Sequence, residues 1–220
     1  WIALGQAFSA IGTLLGIRAL TEFVPPHVYG SVTLLLGISA LGLGTLYSPV
    51  MQAVLRFFSQ FSLGQRPAFR SIVIQILLRR TLWGTLGLGL TWPIMHQAWG
   101  TPWTMVVWLP PLLLYDGLRT LETVFLNAAR NSRMHAALSI AEAWAKPLGA
   151  IAAIELIGPY TESILAGYTV ATGLVLYSYY QWRKPETMQG QPAGVIDDLE
   201  IRTSIEKFAR PLLPTSAMGW

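Results

Sequence analysis

The chain has 220 residues, of which 53% are hydrophobic and only 12% charged, with a formal net charge of +4. A water-soluble domain carries about 25% charged residues, so this composition argues against a globule in water and for lipid as the solvent. Cysteine is absent, which excludes disulfides, thiol chemistry and cysteine-ligated metal. The excess of Lys and Arg reads as topology signals beside membrane spans rather than as a nucleic-acid surface.

A membrane-crossing helix needs roughly 20 mostly apolar residues. Trp1 to Ala19 supplies one, with Arg18 its one charge. The chain opens at Trp1 already inside this run and stops at Trp220 inside another, so it reads as a piece of a longer protein. A short break, Glu22 to Gly30, carries Pro25-Pro26, and Ser31 to Leu55 then holds no charge and contains a second span. Pro49 within that span predicts a kink or an unwound turn. Arg56 to Arg80 mixes Phe57, Phe58, Phe61, Ile72, Val73, Ile76 and Leu77 with Gln, Ser and Arg. Part of it extends the second span, and part either lies on an anionic leaflet or packs against helix ends.

Thr81 to about His96 is a third span, and the break Trp99-Gly100-Thr101-Pro102 separates it from a fourth, Trp103 to about Leu126. Met134 to Ile157 is a fifth. Gly158-Pro159 turns the chain into a sixth, Ser163 to Trp182. A polar stretch, Arg183 to Glu206, reads as a connector, and Lys207 to Trp220 begins a seventh span. Continuous apolar runs, rather than alternating segments of about ten residues, favour helices over a barrel. The expected fold is therefore an all-α polytopic membrane protein: a six-helix transmembrane bundle over 1–182, a connector over 183–206 and the start of a seventh helix over 207–220.

Basic residues orient the bundle. Arg56, Arg66, Arg70, Arg79 and Arg80 follow span two, Arg130 and Arg133 follow span four, and Arg183 and Lys184 follow span six, whereas the other side holds only Arg18. The Arg-rich side is expected to be cytoplasmic, with the start of the first span on that side. Trp92, Trp99 and Trp103 would then mark the outer interface, and Tyr177, Tyr179, Tyr180 and Trp182 the inner one.

The chemistry-bearing residues are the ionisable groups inside the spans, since charge at bilayer depth is costly and faces a bundle interior or a water-filled cavity. Span four holds Asp116, Arg119 and Glu122, three apart and so on one helical face. Span five holds Glu142 and Lys146, four apart, with Glu155 nearer its outer end. Two compatible readings stand: a mutual ion network, or a water-filled pathway lined by the same groups. Glu122 lies close enough to the cytoplasmic end to be reached by solvent. Arg18 can pair with Glu22, and Arg18 or Arg56 could anchor at an interface or hold an anionic head group. Gly12 and Gly16 have the spacing of a close helix contact, and Gly84, Gly87 and Gly89 in an apolar helix suggest the same. His27, His96 and His135 are isolated, and no spacing calls for a metal or another cofactor.

Several stretches resemble the N-terminal half of the oligosaccharide flippases, polysaccharide transporters of the superfamily that also holds multidrug exporters. They are Gly5-Gln6, Arg18-Ala-Leu-Thr, Pro26-x-x-Tyr29-Gly30, Pro49-x-x-Gln52-Ala53-x-x-Arg56-Phe57, Asn127-Ala-Ala-Arg130, and Phe208-Ala-Arg-Pro211-Leu-Leu-Pro214. The resemblance implies two six-helix lobes around a central cavity, of which this chain would supply one lobe and the first piece of the other. It implies a non-enzymatic activity: flipping a polyprenyl-pyrophosphate-linked oligosaccharide from the inner to the outer leaflet by alternating access. Membrane lipids, and a polysaccharide polymerase or other assembly proteins, would be its partners. Cationic cavity residues hold the pyrophosphate in relatives, which points to Arg18 and Arg56 here. Alternatives are a cation-coupled multidrug exporter of the same superfamily, and an integral-membrane glycosyl or acyl transferase. The transferase would need an acid pair such as Asp197-Asp198, which reads better as a solvated charge run.

Overall fold

The computed structural model describes residues 1–62, 64–99, 104–182, 198–209 and 211–212. Among these the chain is helical with no strand: α1 is Ile2–Phe23, α2 Pro26–Gly42, α3 Ser48–Phe57, α4 Arg66–Trp99, α5 Thr104–Ala128, α6 Ser132–Ile157, α7 Thr161–Trp182 and α8 Asp198–Ala209. A π-helical turn, Leu43–Tyr47, joins α2 to α3, so that residues 26–60 form one continuous rod. Three of the described helical segments are long and apolar enough to cross a membrane: Ile2–Phe23, Pro26–Gln60 and Ser132–Ile157.

Local sequence explains the breaks. A residue before proline is pushed out of the helical region, and Val24 and Pro25, each followed by proline, are accordingly extended. The loop after α5 turns at Arg130, whose φ is +56°, and α6 then starts with the Asn131 side chain accepting the Met134 amide N–H. Gly158 ends α6 at φ +116°, a conformation that L side chains rarely adopt. The π-turn precedes Pro49 directly. Proline removes one helical N–H and crowds the carbonyl four residues back, and a π-turn absorbs that conflict. The Leu46 carbonyl inside the turn accepts a hydrogen bond from Arg80 Nη1 at 2.8 Å. The disturbance expected at Pro49 is thus present as a widened turn with a side-chain donor.

Helix α1 packs in the reverse sense to a helix of a soluble protein. On α1 the buried positions are Gly5, Gly12, Gly16 and Leu20, while Leu4, Phe8, Ile11, Leu14 and Leu15 are exposed. Water would drive those large side chains inward. Lipid does not, and helices in lipid associate through small residues that let backbones approach. Gly5 lies against Ala136, Gly12 against Trp144 and Gly16 against Pro147, so the expected glycine contact joins α1 to α6. Gly149 and Gly167 do the same between α6 and α7, where a Cβ on Gly149 would sit 2.7 Å from the Gly167 carbonyl oxygen. Gly84 packs on Leu46, but Gly87 and Gly89 face open space; close packing there is not found.

The described residues of 56–62 and 64–80 do not form a surface loop. Phe58, Phe69, Ile72, Val73, Ile76 and Leu77 are buried in one cluster with Tyr47, Leu121 and Phe125. Ile201 and Ile205 of α8 complete that cluster, with Phe208 packed against it. Helix α8 therefore begins within the stretch read as a connector and docks on α3 and α4. Trp92 is fully buried with Leu109 and Leu112, and Tyr179 is buried as well; neither marks an interface. Tyr177 and Trp182 are exposed. Trp99 and Trp103 fall outside the described side chains.

Candidate functional site

Helices α5 and α6 are antiparallel, and their sequence positions match in depth. At about 1.5 Å per residue, Asp116 lies about 18 Å from the end of α5 and Lys146 about 21 Å from the start of α6. Arg119 and Glu142 lie at about 14 and 15 Å on the same scale. Charges spaced three apart on one helix and four apart on the next therefore meet as two adjacent layers.

Lys146 Nζ is 2.8 Å from Asp116 Oδ1 and 2.8 Å from Glu142 Oε1. Glu142 Oε2 in turn lies 2.6 Å from Arg119 Nε. The chain Asp116–Lys146–Glu142–Arg119 holds two acids and two bases and carries no net charge. Glu142 is the most enclosed, with 9% of its side chain exposed, against 13% for Asp116, 23% for Lys146 and 27% for Arg119. A cluster of this kind leaves no carboxylate uncompensated, and its two cations keep part of their side chains uncovered.

Glu122 has a different partner from the network expected of it. Its side chain is wholly buried, not solvated. It pairs with Arg70 of α4 and accepts a hydrogen bond from Tyr180 Oη at 2.9 Å. Three helices thus converge on one carboxylate. The Arg70 guanidinium lies over Phe125 and Tyr180, 5.7 and 5.5 Å from their ring centroids. No spacing rule links Arg70 to Glu122 across 52 residues, so the sequence offered each group without its partner.

The remaining candidates stay apart. Arg18 pairs with Glu22 at 3.4 Å, with 80% and 65% of their side chains exposed. Arg56 lies over the Phe208 ring at 4.9 Å and the Phe57 ring at 5.9 Å. Arg18 is within two turns of the α1–α2 break, whereas Arg56 sits about 45 Å beyond that break along the α2–α3 rod. These two arginines do not share a site. Glu155 is exposed on α6 and takes no part in the cluster. Among the described residues no group of three or more His, Cys, Asp or Glu is placed to hold a metal ion. Asp197 lies outside the described residues.

Several of the basic residues gather at one end, but Arg79 and Arg80, expected in a connection there, lie about 20 Å along α4 because that helix already starts at Arg66. Arg66 and Arg70 open α4, Arg56 closes α3, and Arg130 and Arg133 lie in or beside the α5–α6 turn. Arg133 reaches Trp1 at 5.4 Å from the ring centroid, which brings the start of α1 to that same end. Arg18 and Glu22 lie toward the other.

Comparison with protein-family models, with curated proteins and with solved structures returns no match.

Proposed function

We propose that this chain is part of a membrane translocase that moves a polyprenyl-pyrophosphate-linked oligosaccharide between leaflets by alternating access, in a cell's inner membrane with the Arg-rich end cytoplasmic. The observation that carries the reading is the neutral ion cluster of Asp116, Lys146, Glu142 and Arg119, set about 15–20 Å along α5 and α6. A purely structural span has no need of four charges at that depth, and such groups mark polar pathways. Arg119 and Lys146 keep partial exposure, which leaves donors for an anionic or sugar group. The sequence resemblance supplies the cargo class, and a six-helix lobe is the architecture that goes with it.

In this reading the cluster exchanges partners. An incoming anion competes with Asp116 and Glu142 for Lys146 and Arg119, loosens the α5–α6 contact, and lets the helices reseat. A charge network with two pairings is the kind of bistable element that alternating access requires. The two lysine-bound carboxylates leave less room for a coupling cation, so the exporter reading has no separate observation in its favour.

The test is flux. Vesicles containing the full encoded protein are loaded with a fluorescent polyprenyl-pyrophosphate oligosaccharide, and inner-leaflet probe is followed to the outer leaflet by quencher accessibility. Transport above empty vesicles, lost in Arg119→Gln, supports the reading. Flux equal to that of empty vesicles refutes it.

A further inference from the structure

Two cavities meet on the α6–α7 face. The larger, about 750 Å³, is a groove lined almost wholly by apolar side chains, among them Ala141, Ala145, Ala153, Val170 and Leu174. It runs from Met134, near the start of α6, to Ile157 at its end, about 35 Å of helix and so close to the thickness of a hydrocarbon core. The smaller, about 320 Å³, opens at the Arg-rich end and is lined by Arg66 and Arg70 among aromatic residues. Met134, Tyr179 and Trp182 line both, so the apolar groove leads into the basic pocket.

The pocket's two guanidiniums are held by stacking rather than by acids alone. Arg66 lies over the Phe58 ring at 4.6 Å, and Arg70 lies over Phe125 and Tyr180. Glu122 offsets Arg70. No carboxylate among the described residues is paired with Arg66, and its buried Nε has no hydrogen-bond partner. Among the described residues the pocket therefore has one cation without a carboxylate partner, beside a second, both with planar forks suited to an oxyanion.

We propose that this face binds a lipid with a phosphate head group: the phosphate between Arg66 and Arg70, and one hydrocarbon chain along the α6–α7 groove. The site is separate from the Asp116–Lys146–Glu142–Arg119 cluster and stands whether or not the chain is a translocase. Charge complementarity selects the occupant. Lipid tails are as apolar as the groove, so choice among lipids comes from the arginine pocket, while a chain seated in the groove tethers the phosphate at that pocket and adds affinity over free phosphate.

The test uses the full chain in neutral maltoside micelles, titrated with dioctanoyl phosphatidic acid, dioctanoylglycerol or inorganic phosphate and followed by native mass spectrometry. Phosphatidic acid is expected to bind one per chain and at least tenfold more tightly than either other probe. Arg66→Gln removes charge-assisted bonds and should weaken it about tenfold or more, with partial recovery in Arg66→Lys. Ala145→Phe fills the groove and should weaken phosphatidic acid without altering the response to inorganic phosphate. Equal affinity for phosphatidic acid and dioctanoylglycerol overturns the proposal. So does inorganic phosphate binding as tightly as the lipid, which would make the pocket a plain anion site. A helical, folded Arg66→Gln protein that binds phosphatidic acid unchanged, or an Ala145→Phe protein that does so, overturns it as well.

Discussion

Replacing Lys146 by Met keeps most of the side-chain volume and removes only the charge. Asp116 and Glu142 each lose a contact of 2.8 Å, and Arg119 alone is left against two carboxylates. Removing one partner of a fully buried ion pair costs about 3–5 kcal/mol. Roughly a quarter of the Lys146 side chain is exposed, 23%, so water relieves part of this, and about 2–4 kcal/mol is expected. For a chain of this size each kcal/mol moves the midpoint by about 2–4 °C, which places the loss at about 4–16 °C. The assay is thermal unfolding of the purified protein in detergent, read by circular dichroism. Arg18→Ala, which breaks only the exposed pair with Glu22, serves as the control and should stay within about 0.5 kcal/mol. Adding Asp116→Asn to Lys146→Met removes the surplus negative charge and should recover at least about 1 kcal/mol. If Lys146→Met matches Arg18→Ala, or if the second substitution adds its own loss without recovery, the cluster does not hold α5 to α6 electrostatically.

Glu122→Leu strands the largely buried Arg70 and should cost about 3–5 kcal/mol, and adding Arg70→Leu should restore most of it, measured by the same unfolding assay. Gly16→Ala and Gly37→Ala should act in opposite senses: the first presses a methyl into Pro147 and destabilises by about 1–3 kcal/mol, while the second meets open space and gains up to about 1 kcal/mol of helix propensity. Arg80→Met removes the donor to the Leu46 carbonyl and should cost about 1.5–3 kcal/mol. In a Pro49→Ala background that cost should shrink, because a regular helix can then satisfy Leu46 from its own backbone; equal costs in both backgrounds would detach Arg80 from the π-turn.

Helix existence was legible because long apolar runs and proline punctuation act locally: Pro25-Pro26, Gly158 and the polar residues after Ala128 all end helices where the sequence placed breaks. The Asp116, Arg119, Glu142 and Lys146 grouping was legible for the same reason, since two helical repeats and an antiparallel turn suffice to align them. What the sequence concealed depends on contacts between distant helices. Glu122 sits three residues from Arg119 but turns to Arg70 and Tyr180, which no periodicity connects to it. The Arg56–Arg80 segment carried both aromatic and basic residues, and only the arrival of α8 with Ile201 and Ile205 decides that its apolar face is covered by protein. Trp92 was read from residue type as an interface anchor, yet it packs with Leu109 and Leu112 in the interior. The sequence resemblance pointed to Arg18 and Arg56 without showing that most of the α2–α3 rod lies between them.

Large apolar side chains facing lipid, with the paired charges facing a polar interior, can be tested residue by residue. These 220 residues hold no cysteine, so single cysteines can be placed at Leu14, Leu148 and Arg119 and probed in intact membranes with a water-soluble maleimide and with a lipid-confined quencher. Position 119 should react with the maleimide, and positions 14 and 148 should not react but should be quenched from the lipid. Aqueous labelling at 14 and 148, with lipid quenching at 119, would contradict this arrangement.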